Sequence, residues 1–150
     1  MLEPKVPDAS DPNSKTLSSL RVRFAETDLM GIVHHAAYLV YFETGRVEWL
    51  RRRGITYVAW TKRGVHLPVV SAELRYRATA RFDDLLVVET TLAKLRAVSL
   101  DFAYRLTRPE DNMLIAEGET RLACVDTEHR LFRIPEDIRT VLLSGEIPTP

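Results

Sequence analysis

The sequence predicts an α+β fold in which one five-stranded antiparallel sheet packs around a single long helix. Three observations predict it. A continuous apolar stretch long enough for a helix follows the loop that ends at Val33. Later segments alternate apolar and polar residues at the two-residue period of half-buried strands. The links between those segments are short and rich in Asp, Asn and Pro, which implies antiparallel neighbours.

Taken in order, residues 1–18 (MLEPKVPDASDPNSKTLS) carry three prolines, several serines and mixed charge. Such a composition lacks the apolar centre of a secretory signal and cannot bury enough surface to fold, so it reads as a flexible leader. Residues 20–24 (LRVRF) alternate apolar and basic and give the first strand. A loop from Ala25 to Val33 leads to a helix from about His35 to Arg53. Its first half, AAYLVYF, is apolar all round and should be buried on most sides. In its second half Glu43, Arg46 and Glu48 interrupt the apolar residues, and Arg51-Arg52-Arg53-Gly54 supplies cations and a glycine suited to a helix C-terminus. Four strands follow. Leu74, Tyr76, Ala78 and Ala80 share the inner face of the first. Leu86, Val88, Thr90 and Leu92 form that of the second, after a turn at Asp83-Asp84, and Leu100, Phe102, Tyr104 and Leu106 that of the third. A turn at residues 108–112 opens the last strand, about Met113 to Val125, and the four are expected to form a meander. The globular domain then spans 19–143 and a flexible tail 144–150.

The length allows one domain with one core, and 45% hydrophobic with 28% charged residues is an ordinary globular balance. With 21 basic and 21 acidic side chains, no net charge draws the chain to nucleic acid or anionic lipid. No apolar run approaches the roughly 20 residues that span a bilayer. A lone cysteine, Cys124, cannot form an intramolecular disulfide and suits a reducing, cytoplasmic setting.

Chemistry concentrates in residues 28–38, DLMGIVHHAAY. Asp28, at a strand end before Gly31, can serve as nucleophile or as general base on water; the alternative is a turn or cap aspartate. His35 falls near the first helical turn, where unpaired N–H groups favour an oxyanion, so its backbone could polarise a carbonyl; the alternative is a histidine that only bonds the loop. His34, its neighbour, points elsewhere and reads as structural or supporting. A metal held by Asp28, His34 and His35 suits the residue types but not the spacing of a ligand pair on a helix. The chain has no nucleophile elbow, phosphate loop or dinucleotide turn. Cys124, inside an apolar strand, reads as a small core residue. The run Arg51–Arg53 with Lys62 and Arg63 reads as a solvated helix end, a phosphorylated cofactor being the alternative.

These residues resemble the signature of the 4-hydroxybenzoyl-CoA thioesterase family of the hotdog fold, and within it the short acyl-CoA thioesterases associated with the bacterial Tol-Pal cluster. That branch reads approximately (R)V(R)YxETDxxGVVYHxxYLxxFExxRxEWLR. Here it stands as RVRFAETDLMGIVHHAAY over residues 21–38, then Tyr41-Phe42-Glu43, Arg46 and Glu48-Trp49-Leu50-Arg51. Residues 76–84, YRATARFDD, and 96–100, RAVSL, resemble two further family segments. The likeness covers about residues 20–135, with His34 standing where the branch more often has tyrosine and Thr79 where it often has proline.

The resemblance implies an acyl-CoA thioesterase of hotdog fold, with a small acyl or aromatic acyl group and no metal or organic cofactor. It makes Asp28 the active-site acid and His35 the residue whose N–H binds the thioester oxygen. Gly31, Val33, His34, Tyr38, Val69 and Ser99 are expected to bind substrate, and Arg81 and Arg96 to meet the CoA phosphates. An acyl-carrier-protein thioester is an alternative substrate. The implied assembly is a homodimer or homotetramer with sheets paired edge to edge and each site between subunits. Two other classes stand against hydrolysis: an acyl-CoA-binding protein without catalysis, and a dehydratase or hydratase. The first has no need of Asp28, and the second uses a differently spaced histidine and acid.

Overall fold

The computed structural model describes residues 14–148. Its elements are β1 (Lys15–Arg21), a 3-10 turn (Phe24–Glu26), α1 (Ala37–Arg51), α2 (Tyr57–Lys62), β2 (Val69–Tyr76), β3 (Leu85–Leu95), β4 (Ser99–Arg108), β5 (Met113–Ala123) and α3 (Glu136–Leu142). The five strands form one antiparallel sheet in the order β1-β3-β4-β5-β2, with α1 against its inner face. This is the α+β arrangement that the sequence predicts.

The expected meander holds only for β3-β4-β5. β2 pairs with β5, not with β3, in the register Tyr76↔Ala116 to Val69↔Leu122. Alternation assigns faces, not neighbours, and the eight-residue link 77–84 is long enough to cross the end of the sheet. It hydrogen-bonds there as it passes, from Arg77 N and Ala78 N to Ile115 O at 2.8 and 3.0 Å. That crossing carries Ala80 to the loop before α1. It also leaves β2 as an edge strand on which only Leu74 is partly covered, so Tyr76, expected inside, is half exposed.

β1 begins at Lys15, so residues 15–18, read as leader, are strand; residues 1–13 of that leader lie outside the described residues. The inner positions here are Thr16 and Ser18, buried but polar, which left the alternation unreadable before Leu20. Residues 144–147, read as tail, are tied down. Arg53 Nε donates to Ser144 O at 3.0 Å, Ile147 N to Arg52 O at 2.8 Å, and Glu146 receives the Thr16 hydroxyl at 2.7 Å.

α1 is shorter than the expected 35–53 and less enclosed. Tyr38, Tyr41, Phe42, Gly45, Trp49 and Leu50 are buried at helical spacing, while Leu39 and Val40 stay 41% and 51% exposed, because one sheet covers one side of a helix. Phe42 stacks on Tyr104 with ring centroids 4.5 Å apart, and Trp49 meets Phe102 edge-on at 5.2 Å. Each such side chain stabilises the fold by roughly 1.5–3 kcal/mol through burial. Arg46, expected to interrupt the apolar face, is itself buried and donates to the hydroxyls of Tyr57 and Tyr104 at 3.1 and 3.0 Å. Its long stem packs like an apolar chain while the guanidinium finds polar partners. Arg53 is likewise buried, its guanidinium 3.7 Å from the Trp49 ring centre, whereas Arg51 and Arg52 pair with Glu48 at the surface, so the basic run is a solvated helix end that turns inward at Arg53.

Candidate active site

The loop from Thr27 to Val33 is a small hairpin. Thr27 and Val33 form an antiparallel bridge, and inside it Asp28 N donates to Ile32 O and Gly31 N to Asp28 O, both at 2.9 Å. Gly31 has φ +76°, the left-handed region in which a side chain is strained, so the turn needs glycine at this position. No atom lies within 4 Å of where its Cβ would sit, so the space beside the loop is open.

Two anchors hold the hairpin. Val33 N donates to Ala80 O at 2.8 Å, which fastens it to the crossing link. Glu26 fastens its other side. The Glu26 carboxylate accepts from Arg23 N at 2.7 Å and from the Tyr41 hydroxyl at 3.0 Å, and its carbonyl accepts from His34 N at 2.8 Å. Burial alone would raise the Glu26 pKa, but these donors and the Arg23 guanidinium outweigh it and hold it below the usual glutamate value. Burial, reinforced by Glu26, raises the Tyr41 phenol far above its own. Neither residue stood out in the sequence as a site residue. The signal available was that Glu26 and Tyr41 fall inside the quoted motif, and only the fold brings them together.

Asp28 is half-buried. Its Oδ1 accepts from Met30 N at 2.8 Å, the turn-aspartate bond foreseen as the alternative, and among the described residues nothing donates to Oδ2. One carboxylate oxygen fixes the side chain and the other is free for chemistry. The two readings of Asp28 are therefore compatible. Tyr38 lies within electrostatic range of Asp28; burial raises its phenol pKa, and its ring meets Tyr76 edge-on at 5.3 Å.

His35 lies two residues before the first residue of α1. Of the four amides from His34 to Ala37, three are taken: His34 N by Glu26 O, Ala36 N by His34 Nδ1 at 3.2 Å, and Ala37 N by His34 O at 2.9 Å. Among the described residues nothing accepts the His35 N–H. The His35 carbonyl accepts from the Tyr76 hydroxyl at 3.0 Å. The loop thus presents a free carboxylate oxygen and a free backbone donor just ahead of a helix N-terminus.

The other expected site residues divide. Gly31 and His34 lie on the loop and are exposed, and Tyr38 is buried beneath it. Val33 is 3% exposed and belongs to the core. Arg81 is exposed beside Ala80, its backbone N donating to Asp84 Oδ2 at 2.9 Å and its guanidinium unpaired among the described residues. Val69, Arg96 and Ser99 sit at the opposite end of the sheet, at the β5 end near Ala123, so one chain does not bring them to Asp28. Arg96 is further committed to Asp101 through two bonds of 2.9 Å.

Residues 22–142 match a family model described as thioesterase-like superfamily. The acyl-CoA thioester hydrolase YbgC of Escherichia coli is 36% identical over 107 residues, 71% of this chain and 79% of that one. A solved protein from Thermus thermophilus, described as hypothetical, is 46% identical with a TM-score of 0.79, covering 84% of this chain and 95% of that one. A 4-hydroxybenzoyl-CoA thioesterase solved with 4-hydroxybenzoyl-CoA has a TM-score of 0.78 over 86% of this chain and 98% of its own; at 20% identity it speaks for the hotdog fold alone. With the match running from the end of β1 through α3 and enclosing the whole loop, the chain belongs to the thioesterase-like superfamily.

Proposed function

We propose that this chain, a thioester hydrolase of that superfamily, cleaves a small acyl-CoA or aromatic acyl-CoA to the free acid and CoA. The observation that carries the reading is that one anchored loop leaves both a carboxylate oxygen, Asp28 Oδ2, and a backbone donor at the helix entrance, the His35 N–H, without a partner among the described residues. In the proposed reaction the thioester oxygen sits on the His35 N–H, where the charge of the tetrahedral intermediate is stabilised as it develops. Asp28 Oδ2 either attacks the carbonyl carbon or takes a proton from an attacking water. Collapse of the intermediate re-forms the C=O bond and expels the CoA thiolate, a good leaving group that needs no strong acid. In the first course water then hydrolyses an Asp28 anhydride and restores the carboxylate. Single turnover in 18O-labelled water separates the two, since only the anhydride course can place label in Asp28.

Arg81, unpaired and exposed beside the loop, is the proposed cation for the CoA phosphates. Val69 and Ser99 could meet the loop only from a second copy, which fits a proposed dimer or tetramer built on the open β2 edge. YbgC, by its name, supports a CoA thioester as the substrate. Among the described residues no helix is long and apolar enough to cross a membrane, and the proposed setting is the cytoplasm.

Thiol release from a panel of short, long and aromatic acyl-CoAs tests the reading. Asp28→Asn keeps an oxygen for Met30 N but removes the nucleophile or base, and should lower kcat by about 10²–10⁴-fold. Undiminished kcat in that variant would sink the role of Asp28. CoA-ester binding without turnover by the wild type would make the chain a binder.

A further inference from the structure

We infer that His34 is a positioning residue for the hydrolysis: its imidazole Nδ1 accepts the Ala36 N–H and so holds the His35 amide in line for the thioester oxygen. The inference rests on the function proposed above and adds the device that orients its oxyanion donor.

The argument follows the peptide planes. A trans peptide is flat, with C=O and N–H pointing opposite ways, so fixing one group aims the other. In the His34–His35 plane the carbonyl accepts from Ala37 N at 2.9 Å and therefore points along the chain toward α1. The N–H of that plane, belonging to His35, points away from this bond toward the outside of the turn. In the next plane, His35–Ala36, the carbonyl accepts from the Tyr76 hydroxyl at 3.0 Å and the N–H donates to His34 Nδ1 at 3.2 Å. That plane is clamped at both ends, so the torsions about His35 that link it to the first plane are restrained too. Tyr76 reaches in from the edge strand, and His34 closes the clamp from within the loop.

The His34 bond is of the kind that Asn and Asp make to a backbone N–H two residues on. The imidazole Nδ1 lone pair stands one atom beyond Cγ, as the Asn Oδ1 does. The His34 and His35 rings also lie 4.2 Å apart at a 34° tilt, and both side chains are exposed, so neither is needed to fill the core. His34 is therefore a surface residue whose polar partner is a backbone amide of the oxyanion turn.

Full-length His34→Phe keeps a ring against His35 and removes the acceptor, whereas His34→Asn removes the ring and restores an acceptor. With an acyl-CoA that the wild type cleaves, His34→Phe is expected to lower kcat about tenfold, part of the loss seen when an oxyanion donor is removed altogether, with KM little changed. The Ala36 amide should exchange its hydrogen faster in the same variant. His34→Asn is expected to return both readouts toward wild type, which a role in ring packing would not do. If His34→Phe does not fold, His34→Ala serves the same arm. Wild-type kcat in the acceptor-free variant, a change confined to KM, or an Asn variant as slow as the Phe one would overturn the role of His34. A wild type that releases thiol from no thioester overturns the hydrolase itself, and so separates that failure from this one.

Discussion

Asp101 lies on the outer face of β4, where alternation placed it, yet it is 7% exposed because Arg96 and Arg121 close over it. Burial on its own would raise its pKa; the two guanidiniums outweigh that and bring it down to about 2. A carboxyl held lower in the folded than in the unfolded chain stabilises the fold above its unfolded pKa, and this stability is lost as pH falls through the folded one. At neutral pH the contribution is about 2 kcal/mol. Urea unfolding of wild type and Asp101→Asn should therefore show an advantage for wild type at pH 6 that fades between about pH 4 and pH 2. An advantage unchanged down to pH 2 would contradict the shift. Cys124 shows the same logic in an uncharged group. Burial pushes its thiol up to about 11, and the side chain packs in the core just past the end of β5, as its apolar neighbours in the sequence suggested.

At the scale of elements, the approach of α1 to the sheet is set by Gly45. A Cβ there would lie 2.6 Å from Val88 Cγ1 and closer still to the Thr90 hydroxyl, so the helix rests directly on β3. The small inner residues of β1, Thr16 and Ser18, belong to the same close contact, since they pair with Thr90 and Val88. Gly45→Ala favours a helix intrinsically, by roughly 0.5–1 kcal/mol, but overpacking of this kind costs typically 1–3 kcal/mol. The net expectation is a lower Tm and a lower urea midpoint, with kcat affected through Tyr41 and Tyr38 on the same helix. A raised Tm would show that α1 can shift away from β3 at no cost.

For the whole molecule, the informative surface is the β2 edge of the sheet. Among the described residues β2 pairs on one side only, and Val69, Val70 and Tyr76 on it are about half exposed, as are Leu39 and Val40 of α1. A long edge of this kind is normally capped, paired or charged. Pairing with a second copy is the proposed remedy, and light scattering should give a mass two or four times the 17.2 kDa of the chain. Val70→Lys on that edge should weaken the assembly. A monomer at micromolar concentration would remove the explanation for Val69 and Ser99. The outer face offers a different picture. Glu89, Arg105, Glu117 and Arg75 succeed one another across four strands with alternating charge. Along that row Arg105 and Glu117 stand 3.7 Å apart, so charge meets charge within the chain.

The sequence by itself determined the elements with a strong period and the grouping of the candidate site residues that are neighbours in the chain. The inner faces of β3 and β4, the helix after Val33, and Asp28, Gly31 and His35 on one loop were all legible, because a period of two or 3.6 and a local motif are properties of neighbours in the chain. Strand order, the start of β1 at small polar residues, and the burial of Arg46 and Arg53 were not, because each depends on which distant segment packs alongside. The same holds for the anchors of the site. Glu26 and Tyr41 are fifteen residues apart, and His35 and Tyr76 forty-one. Only the tertiary structure decided how the turn at His35 is held, since the hydroxyl that fixes its carbonyl comes from an edge strand that no local pattern places beside the loop.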